Sequence, residues 1–314
     1  MSGAPARPFD RRAASKAISR LAAASVAEIL AGTRPEPTCS GGVIGVTGPP
    51  GAGKSTLIGR LAALRLEQVA PVAILAIDPT SPYSQGSILG DRIRMDRLSE
   101  DPRVFIRSLP SRASDDGLTD NLCEMLDALA EFGFRETFVE TVGVGQSAYG
   151  VRVLADVEVL VLTPGAGDYV QAMKAGIMET ADIFVVNKAE LPGTDRLVQD
   201  ILGLPRRGRI GEPPVIRVRV DQADGVEALS RAIDGFAAAG VAAAERARVR
   251  RRRRQYQVQR LVQRAVHAAV AASPEPLWEA PLPEIYDRLV AQLGQPAADP
   301  APPAAPGPSR LGER

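Results

Sequence analysis

A glycine-rich run at residues 48–55 could hold the phosphates of a nucleotide. Its sequence, Gly48-Pro-Pro-Gly-Ala-Gly-Lys-Ser55, matches the pattern GxxxxGK[ST]; an apolar run precedes it and a helical pattern, 56–66, follows it. Such glycines let backbone amides turn toward phosphate oxygens, and the start of the helix adds the positive end of its dipole. Lys54 is therefore expected to reach the β- and γ-phosphates, and the Ser55 hydroxyl to bind Mg²⁺. The predicted nucleotide-binding residues of this phosphate loop are Gly48, Pro49, Pro50, Gly51, Ala52, Gly53, Lys54, Ser55 and Thr56.

Two aspartates that follow the phosphate loop could serve a metal ion. Asp78 comes directly after the apolar run 72–77, where a carboxylate can hold Mg²⁺ or its bound waters. The alternative is that Asp78 caps the turn favoured by the prolines at 79 and 82. Asp91 ends a glycine-bounded segment, 86–91, which is suited to moving with ligand state. Spacing alone leaves the role of Asp91 open.

Two further motifs follow apolar runs and favour a site for GTP. In Glu140-Thr-Val-Gly143 a carboxylate precedes a glycine by three residues, the spacing with which GTPases bring a backbone amide to the γ-phosphate, here with glutamate instead of the commoner aspartate. The sequence Asn187-Lys188-Ala-Glu190 resembles the guanine motif NKxD with its last residue changed. In that motif the aspartate accepts hydrogen bonds from guanine N1 and N2, which adenine cannot match. An ordinary Asn-Lys turn at the end of a strand is the alternative.

A parallel sheet would bring these motifs together. Between residues 41 and 220, short β-branched runs alternate with helical patterns, which predicts an α/β fold with a mostly parallel central sheet covered by helices. The predicted strands are 42–46, 72–77, 104–106, 137–139, 157–162, 183–186 and 215–220. Ligands of open α/β sheets bind beyond the carboxyl ends of the strands, so the motifs that follow these runs are expected to lie at one edge.

The composition disfavours several classes of protein. The 314 residues carry 38 Lys and Arg against 37 Asp and Glu, a net charge of +1, which disfavours a nucleic-acid-binding protein. His267 is the only histidine, and Cys39 and Cys123 are the only cysteines. This scarcity disfavours a disulfide framework, a Cys/His zinc site and histidine-assisted nucleophilic catalysis. The apolar runs are too short to cross a bilayer, so no membrane association is expected.

Both ends of the chain differ from the α/β segment. Residues 10–31 have the spacing of one amphipathic helix. The acidic residues Asp10 and Glu28 make this segment a poor match to a transit peptide, so the bacterial cytoplasm is favoured over the mitochondrial matrix. Residues 227–270 are helix-forming and carry seven arginines between 246 and 254, either a solvated face or a docking surface for an acidic partner. The predicted domains are a helical extension (1–40), a nucleotide-binding domain (41–236), a helical arm (237–292) and a disordered Pro/Ala-rich tail (293–314).

These motifs together make the chain resemble the MeaB/ArgK family of P-loop GTPases, the G-protein chaperones of adenosylcobalamin-dependent acyl-CoA mutases. The resemblance covers residues 10–270 and rests on the strings 48–56, Ile77-Asp-Pro-Thr-Ser81, Gly86-Ser-Ile-Leu-Gly-Asp-Arg92, Glu140-Thr-Val-Gly-Val-Gly-Gln-Ser147 and Pro164-Gly-Ala-Gly-Asp168. It implies a Mg²⁺-dependent GTPase, slow alone and stimulated by its partner, that gates cofactor loading of a mutase and protects it. It also implies a homodimer joined through the C-terminal arm, with GTP or GDP as the ligand and no cobalamin bound directly.

The resemblance assigns roles to individual residues. It implies that Asp78, Asp91 and Glu140 join Ser55 around the metal ion, and that residues 165–176 form an additional switch. The residues implied to act in hydrolysis are Lys54, Asp91, Glu140 and Lys174. Those implied to signal the nucleotide state to the partner are Gly86, Gln146, Asp168, Gln171 and Lys174. The residues predicted to hold the nucleotide beyond the phosphate loop are Gly143, Asn187, Lys188, Glu190 and Val220.

Two departures from the family pattern lie on the guanine side of the predicted site. Glu190 replaces an aspartate, and the usual SAxxGxG loop appears only as Arg219-Val-Asp-Gln-Ala-Asp-Gly225. Three alternatives therefore stay open: an ATP-dependent small-molecule kinase, a metallochaperone GTPase for nickel enzymes, and a scaffold that binds nucleotide without turnover. The nickel alternative would need soft or imidazole ligands, which this chain has in small number. No motif identifies the mutase as the methylmalonyl-, isobutyryl- or 2-hydroxyisobutyryl-CoA type.

Overall fold

A sheet of seven strands forms the centre of the computed structural model, which describes residues 10–32, 42–79, 96–111, 118–141, 146–165, 178, 181–204, 211–219, 221–239 and 243–293. The strands are β1 (Gly42–Thr47), β2 (Val72–Pro79), β3 (Val104–Ser111), β4 (Glu136–Thr141), β5 (Val157–Leu162), β6 (Ile183–Asn187) and β7 (Val215–Val218). Their spatial order is β3-β2-β4-β1-β5-β6-β7, and every neighbouring pair is parallel. The predicted α/β class is confirmed, and each of the seven predicted runs contributes a strand.

Helices connect and cover these strands. In the described part of the chain they are α1 (Arg11–Ala23), α2 (Val26–Gly32), α3 (Lys54–Val69), α4 (Asp96–Ser99), α5 (Leu122–Glu131), α6 (Gln146–Leu154), α7 (Thr194–Leu202), α8 (Asp224–Ala239), α9 (Ala243–Ala272) and α10 (Leu282–Leu293), with a 3₁₀ turn at Glu275–Glu279. None of these helices combines the length and the apolar character needed to cross a bilayer.

The two faces of the sheet pack against different helices. Ile74 of β2 pairs with Phe138 of β4, and both lie in the core beneath α3, where they join Leu61. Their chain neighbours, such as Val139, lie in the core on the opposite face together with Met125 of α5. Side chains alternate between the faces of a strand, so every second residue of β2 and β4 points toward α3. Because both faces are covered, β2 is apolar on both sides from Val72 to Ile77.

The described part of the chain divides into two compact units. The first contains residues 10–23 and the described residues from 42 to 257, including the whole sheet. The second contains residues 24–32 and 258–293, in which the Arg264 guanidinium donates a hydrogen bond to the carbonyl oxygen of Ala24 at 2.8 Å.

The prediction of one continuous helix over residues 10–31 is wrong. The first helix ends at Ala23, and a second one begins at Val26. The Ser25 hydroxyl accepts a hydrogen bond from the backbone amide of Glu28 at 3.2 Å, and the Glu28 carboxylate accepts one from the Ser25 amide at 2.8 Å. This reciprocal pair is a capping box, which satisfies amides at the start of α2 and therefore favours a new helix at this point.

The arginine run on α9 is divided between two environments. Arg253 forms an ion pair with Asp156 at 2.9 Å, and its charge also acts on Asp127 of α5. Burial raises the pKa of Asp127 to about 6, although Arg253 opposes that shift. Arg250, Arg251 and Arg254 are exposed. Part of the run therefore binds acidic groups of its own chain, and part faces solvent.

Candidate functional site

The phosphate loop joins β1 to α3, and its path requires glycine at two positions. Gly48 has φ +146°, and a Cβ atom there would lie against the carbonyl oxygen of Val161. Gly53 has φ +82°, and a Cβ atom there would lie 2.6 Å from Nδ2 of Asn187. Gly53 is also the residue that precedes α3, so no side chain caps the first amides of this helix. Uncapped amides at a helix start are suited to binding an anion such as phosphate.

Lys54 places a buried positive charge at the same loop. Its side chain is only 5% exposed, and its ammonium group donates hydrogen bonds to the carbonyl oxygens of Gly48 at 2.9 Å and Pro49 at 3.0 Å. These acceptors are neutral, and hydrogen bonds to charged acceptors are stronger. The ammonium group is therefore suited to moving onto phosphate oxygens.

Ser55 and Glu140 are joined directly across the edge of the sheet. The Ser55 hydroxyl donates a hydrogen bond of 2.7 Å to Oε1 of Glu140, and both residues are buried. Glu140 pairs with Val46 of β1, immediately before the phosphate loop, and with Ala76 of β2. Asp78 follows Ala76 by two residues and so points to the same face, where it is also buried. The structure thus brings a hydroxyl and two carboxylates to one face, beneath the start of α3.

This set of side chains fits Mg²⁺. Hydroxyl and carboxylate oxygens are the donors that Mg²⁺ prefers, and the ion usually takes one or two carboxylates together with substrate phosphates and water. Across the described ranges, no group of three or more His, Cys, Asp and Glu side chains could form an all-protein metal cage. Ser55, Asp78 and Glu140 would therefore hold the ion jointly with a nucleotide.

Asn187 and Lys188 contact the phosphate loop itself, which the motif analysis did not predict. Asn187 Nδ2 donates to the carbonyl oxygen of Ala52 at 2.7 Å, and Lys188 Nζ donates to that of Gly51 at 2.9 Å. Lys188 has φ +54°, a left-handed conformation that turns the chain sharply at the end of β6. These two residues therefore tie the predicted guanine motif to the phosphate site.

The ends of β6 and β7 meet on the other side of the loop. The amide of Ala189 donates to the carbonyl oxygen of Val218 at 3.0 Å, which makes Glu190 and Arg219 neighbours in space. Arg60 of α3 donates to the carbonyl oxygen of Arg219 at 2.7 Å and so fixes the loop after β7. No motif in the sequence points to Arg60, because 159 residues separate it from its acceptor. No spacing pattern could have revealed that contact.

The side chain of Arg219 lies among carboxylates. Its Nε donates to Oδ1 of Asp221 at 3.2 Å. The hydrogen bond to Asp221 raises the pKa of Arg219, and attraction by Glu190 and Asp224 contributes in the same direction. The Arg219 guanidinium therefore lies among carboxylates on the side of the site that is predicted to hold the base.

Several predicted site residues lie outside the described residues. They are Gly86, Asp91, Gly143, Asp168, Gln171, Lys174 and Val220. Gln146 begins α6, and its side chain is likewise outside the description. The structure brings together Lys54, Ser55, Asp78 and Glu140, and it places Asn187 and Lys188 against their loop.

A model of a known family matches most of the chain. Residues 15–275 match the family described as the methylmalonyl Co-A mutase-associated GTPase MeaB. The chain belongs to the MeaB family. The match includes the whole sheet, α2 to α9 and the part of α1 from residue 15 onward, so the MeaB-type core extends well beyond the phosphate loop.

Relatives of this MeaB family protein include named proteins from distant organisms. The mitochondrial methylmalonic aciduria type A homolog of Mus musculus is 37% identical over 190 residues, which cover 58% of this chain and 46% of the relative. The GTPase ArgK of Escherichia coli is 41% identical over 145 residues, which cover 46% of this chain and 44% of the relative. The aligned region thus spans about half the length of these relatives.

A solved structure supports the fold of this MeaB family protein. The crystal structure of an LAO/AO transport system kinase matches 90% of this chain and 98% of its own chain, with a TM-score of 0.55 and 22% sequence identity.

Proposed function

We propose that this MeaB family protein is a Mg²⁺-dependent GTPase that serves an adenosylcobalamin-dependent acyl-CoA mutase, gating the loading of its cofactor and protecting it. The observation that carries the nucleotide half of the proposal is the buried hydrogen bond from Ser55 to Glu140 beside the Lys54 loop. The mutase half rests on membership of the family. The predicted domain limits, including a helical arm at 237–292, belong to the same proposal.

Different side chains of the site would bind the phosphates and the metal ion. Lys54 would leave the carbonyl oxygens of Gly48 and Pro49 and bind the β- and γ-phosphates, where its charge offsets the charge that develops during hydrolysis. Ser55, Asp78 and Glu140 would hold Mg²⁺, which supplies charge neutralisation between the phosphates. Asp91 in segment 86–91 and Lys174 in the additional switch, 165–176, would complete the site, and the Gly143 amide would meet the γ-phosphate.

Turnover in the absence of a partner is expected to be slow. Unassisted GTPases hydrolyse GTP at about 10⁻⁴ to 10⁻² per second. The mutase would accelerate the hydrolysis step. GTP binding would order the loops that carry Asp91, Glu140 and Lys174, and hydrolysis would release them. The mutase would thereby be biased between states that admit and retain its cofactor.

The magnesium assignment predicts a specific effect of Ser55. Ser55→Ala removes the hydroxyl that donates to Glu140, so the Mg²⁺ concentration needed for half-maximal GTP hydrolysis is expected to rise about 10- to 100-fold. Ser55→Thr keeps a hydroxyl group and is the matched control, with a Mg²⁺ requirement close to that of the wild type. Identical Mg²⁺ titrations for all three proteins would remove Ser55 from the metal site.

A nucleotide competition assay tests the choice of GTP. We expect GTP and GDP to displace a fluorescent guanine nucleotide well before ATP does, because Glu190 can accept from guanine N1 and N2. Preference for ATP would favour the small-molecule kinase alternative. Tight GTP binding with no phosphate release at any mutase concentration would favour a scaffold without turnover.

The C-terminal unit carries an apolar stripe that fits a second copy of the chain. Leu282, Tyr286 and Val290 of α10 are 78%, 64% and 48% exposed and lie four residues apart, on one side of the helix. No described residue of α10 is buried. The proposed homodimer would cover this stripe.

Replacing the stripe is expected to dissociate the dimer. Tyr286→Asp combined with Val290→Asp introduces two charges into an interface that excludes water, whereas Ala291→Asp places one charge on the opposite side of α10. By light scattering, wild type and Ala291→Asp should have twice the 33.2 kDa chain mass, and the double variant should have the chain mass. A monomeric wild type, or a dimeric double variant, would contradict this interface.

A further inference from the structure

The structure places a cation beside the carboxylate that is proposed to read the base. Glu190 directly follows Ala189, and Arg219 directly follows Val218; these two neighbours are joined by a backbone hydrogen bond of 3.0 Å. This contact brings the ends of β6 and β7 together next to the phosphate loop, which Asn187 and Lys188 contact from the same turn. A base attached to phosphates in the loop would reach this edge.

We infer that Arg219 reads guanine together with Glu190, donating to O6 and N7 of the base while Glu190 accepts from N1 and N2. The inference rests on the proposed binding of guanine nucleotides. It assigns the hydrogen bond to O6 to one side chain of the altered loop, 219–225.

The surroundings of Arg219 suit this role. Arg60 donates a hydrogen bond of 2.7 Å to the carbonyl oxygen of Arg219, which fixes the backbone from which the Arg219 side chain extends. Asp221 accepts from Nε at 3.2 Å and from Nη2 at 3.4 Å, and so orients one edge of the guanidinium. Nη1, on the other edge, forms no hydrogen bond within the described ranges. The side chain is 42% exposed and can therefore meet a ligand.

Arg219 and Glu190 together would discriminate guanine from adenine. Arginine commonly forms two hydrogen bonds to guanine O6 and N7, because its planar fork matches two acceptors. Adenine presents an amino group where guanine has O6, and an unprotonated N1 where guanine has N1–H. In this site the amino group would face the Arg219 cation, and N1 would face the Glu190 carboxylate. Both contacts would be unfavourable.

Binding of four nucleoside diphosphates tests Arg219 separately from Glu190. GDP and IDP both carry O6, IDP lacks the N2 amino group, XDP carries an oxygen at that position, and ADP lacks O6. We expect Arg219→Ala to lower the affinities for GDP, IDP and XDP by a common factor of about 10- to 100-fold. The affinity for ADP should not fall, because the adenine amino group gains nothing from the Arg219 cation. Glu190→Gln should instead reduce the preference for GDP over IDP.

Arg217→Ala is the matched control for this experiment. Arg217 lies two residues earlier, is 49% exposed and pairs with the exposed Asp195 at 2.7 Å. Arg217→Ala therefore also removes one positive charge, but at a position away from the proposed base site. Its affinities for all four nucleotides should equal those of the wild type. An ADP affinity in Arg219→Ala that is no lower than that of the wild type also reports that the phosphate site remains folded.

The outcomes distinguish the inference from the function on which it rests. If the wild type prefers GDP over ADP and Arg219→Ala keeps the whole preference, Arg219 does not read the base, although the GTPase proposal stands. If the wild type has no preference for GDP, both the guanine assignment and the role of Arg219 fail. Equal losses of GDP and ADP affinity in Arg219→Ala would also overturn the inference, because loss of a hydrogen bond to O6 lowers the affinity for GDP more than that for ADP.

Discussion

Replacement of Lys54 by alanine is expected to lower kcat/KM for GTP by about 100- to 1000-fold, the usual loss when one preorganised charge-stabilising donor is removed. Lys54 is buried at the start of α3 and is held by the carbonyl oxygens of Gly48 and Pro49, within reach of phosphates in the loop. Single-turnover hydrolysis at saturating Mg²⁺ measures this loss.

Lys16→Ala is the matched control for that experiment, because Lys16 is an exposed lysine on α1. Its rate should equal that of the wild type. Thermal unfolding of Lys54→Ala shows whether the loop is still folded when activity is lost. Wild-type rates in a folded Lys54→Ala protein would contradict the assignment of this lysine to the phosphates.

Replacement of Arg65 by methionine is expected to lower the free energy of unfolding by about 3–5 kcal/mol, the usual cost of leaving a buried charge without its partner. Arg65 is 2% exposed and donates to both carboxylate oxygens of Glu136, with a further contact of 2.6 Å to Asp234 of α8. Burial alone would lower the pKa of Arg65, but the hydrogen bonds that Arg65 donates to Glu136 and Asp234 outweigh burial and raise the pKa. Urea denaturation followed by circular dichroism measures the change.

Two further variants test whether the lost ion pair is the cause. Arg103→Met removes an arginine that is 45% exposed and pairs with Asp101 at 2.8 Å, so it should cost less than about 1 kcal/mol. Arg65→Met combined with Glu136→Leu removes both charges and should recover much of the lost stability. A double variant as unstable as Arg65→Met would contradict the explanation.

The Arg65 ion pair also bears on the site. Arg65 and Ser55 both lie on α3, and their acceptors, Glu136 and Glu140, lie four residues apart on the same face of β4. One pair fixes the middle of the helix and the other its start. Loss of the first is therefore expected to weaken Mg²⁺-dependent nucleotide binding as well as stability.

The sequence was sufficient to predict the sheet and the phosphate side of the site. Each predicted run became a strand because strands buried on both faces are marked by continuous apolar residues, and the motifs that follow β1, β2, β4 and β6 meet because parallel strands end at one edge. The capping box at Ser25 and Glu28 was also present in the sequence, and it would have predicted the break between α1 and α2.

Long-range side-chain contacts could not be predicted in this way. Arg65 meets Glu136 across 71 residues of sequence, and Asn187 meets Ala52 across 135. Neither spacing reflects the period of a helix or a strand, so these partners depend on the packing of α3 and β6 against their neighbours. The same reason applies to Arg253 in the arginine run, because no pattern in the sequence reveals its partner Asp156.

Partner stimulation of GTP hydrolysis is the measurement that tests the proposed function most directly. Purified chain would be assayed with GTP and Mg²⁺, alone and with adenosylcobalamin-dependent methylmalonyl-, isobutyryl- and 2-hydroxyisobutyryl-CoA mutases, and with Lys54→Ala as the inactive reference. We predict a slow basal rate that one of these mutases raises at least about tenfold, and no stimulation of Lys54→Ala. A basal rate that none of the three mutases changes would contradict a role in mutase maintenance.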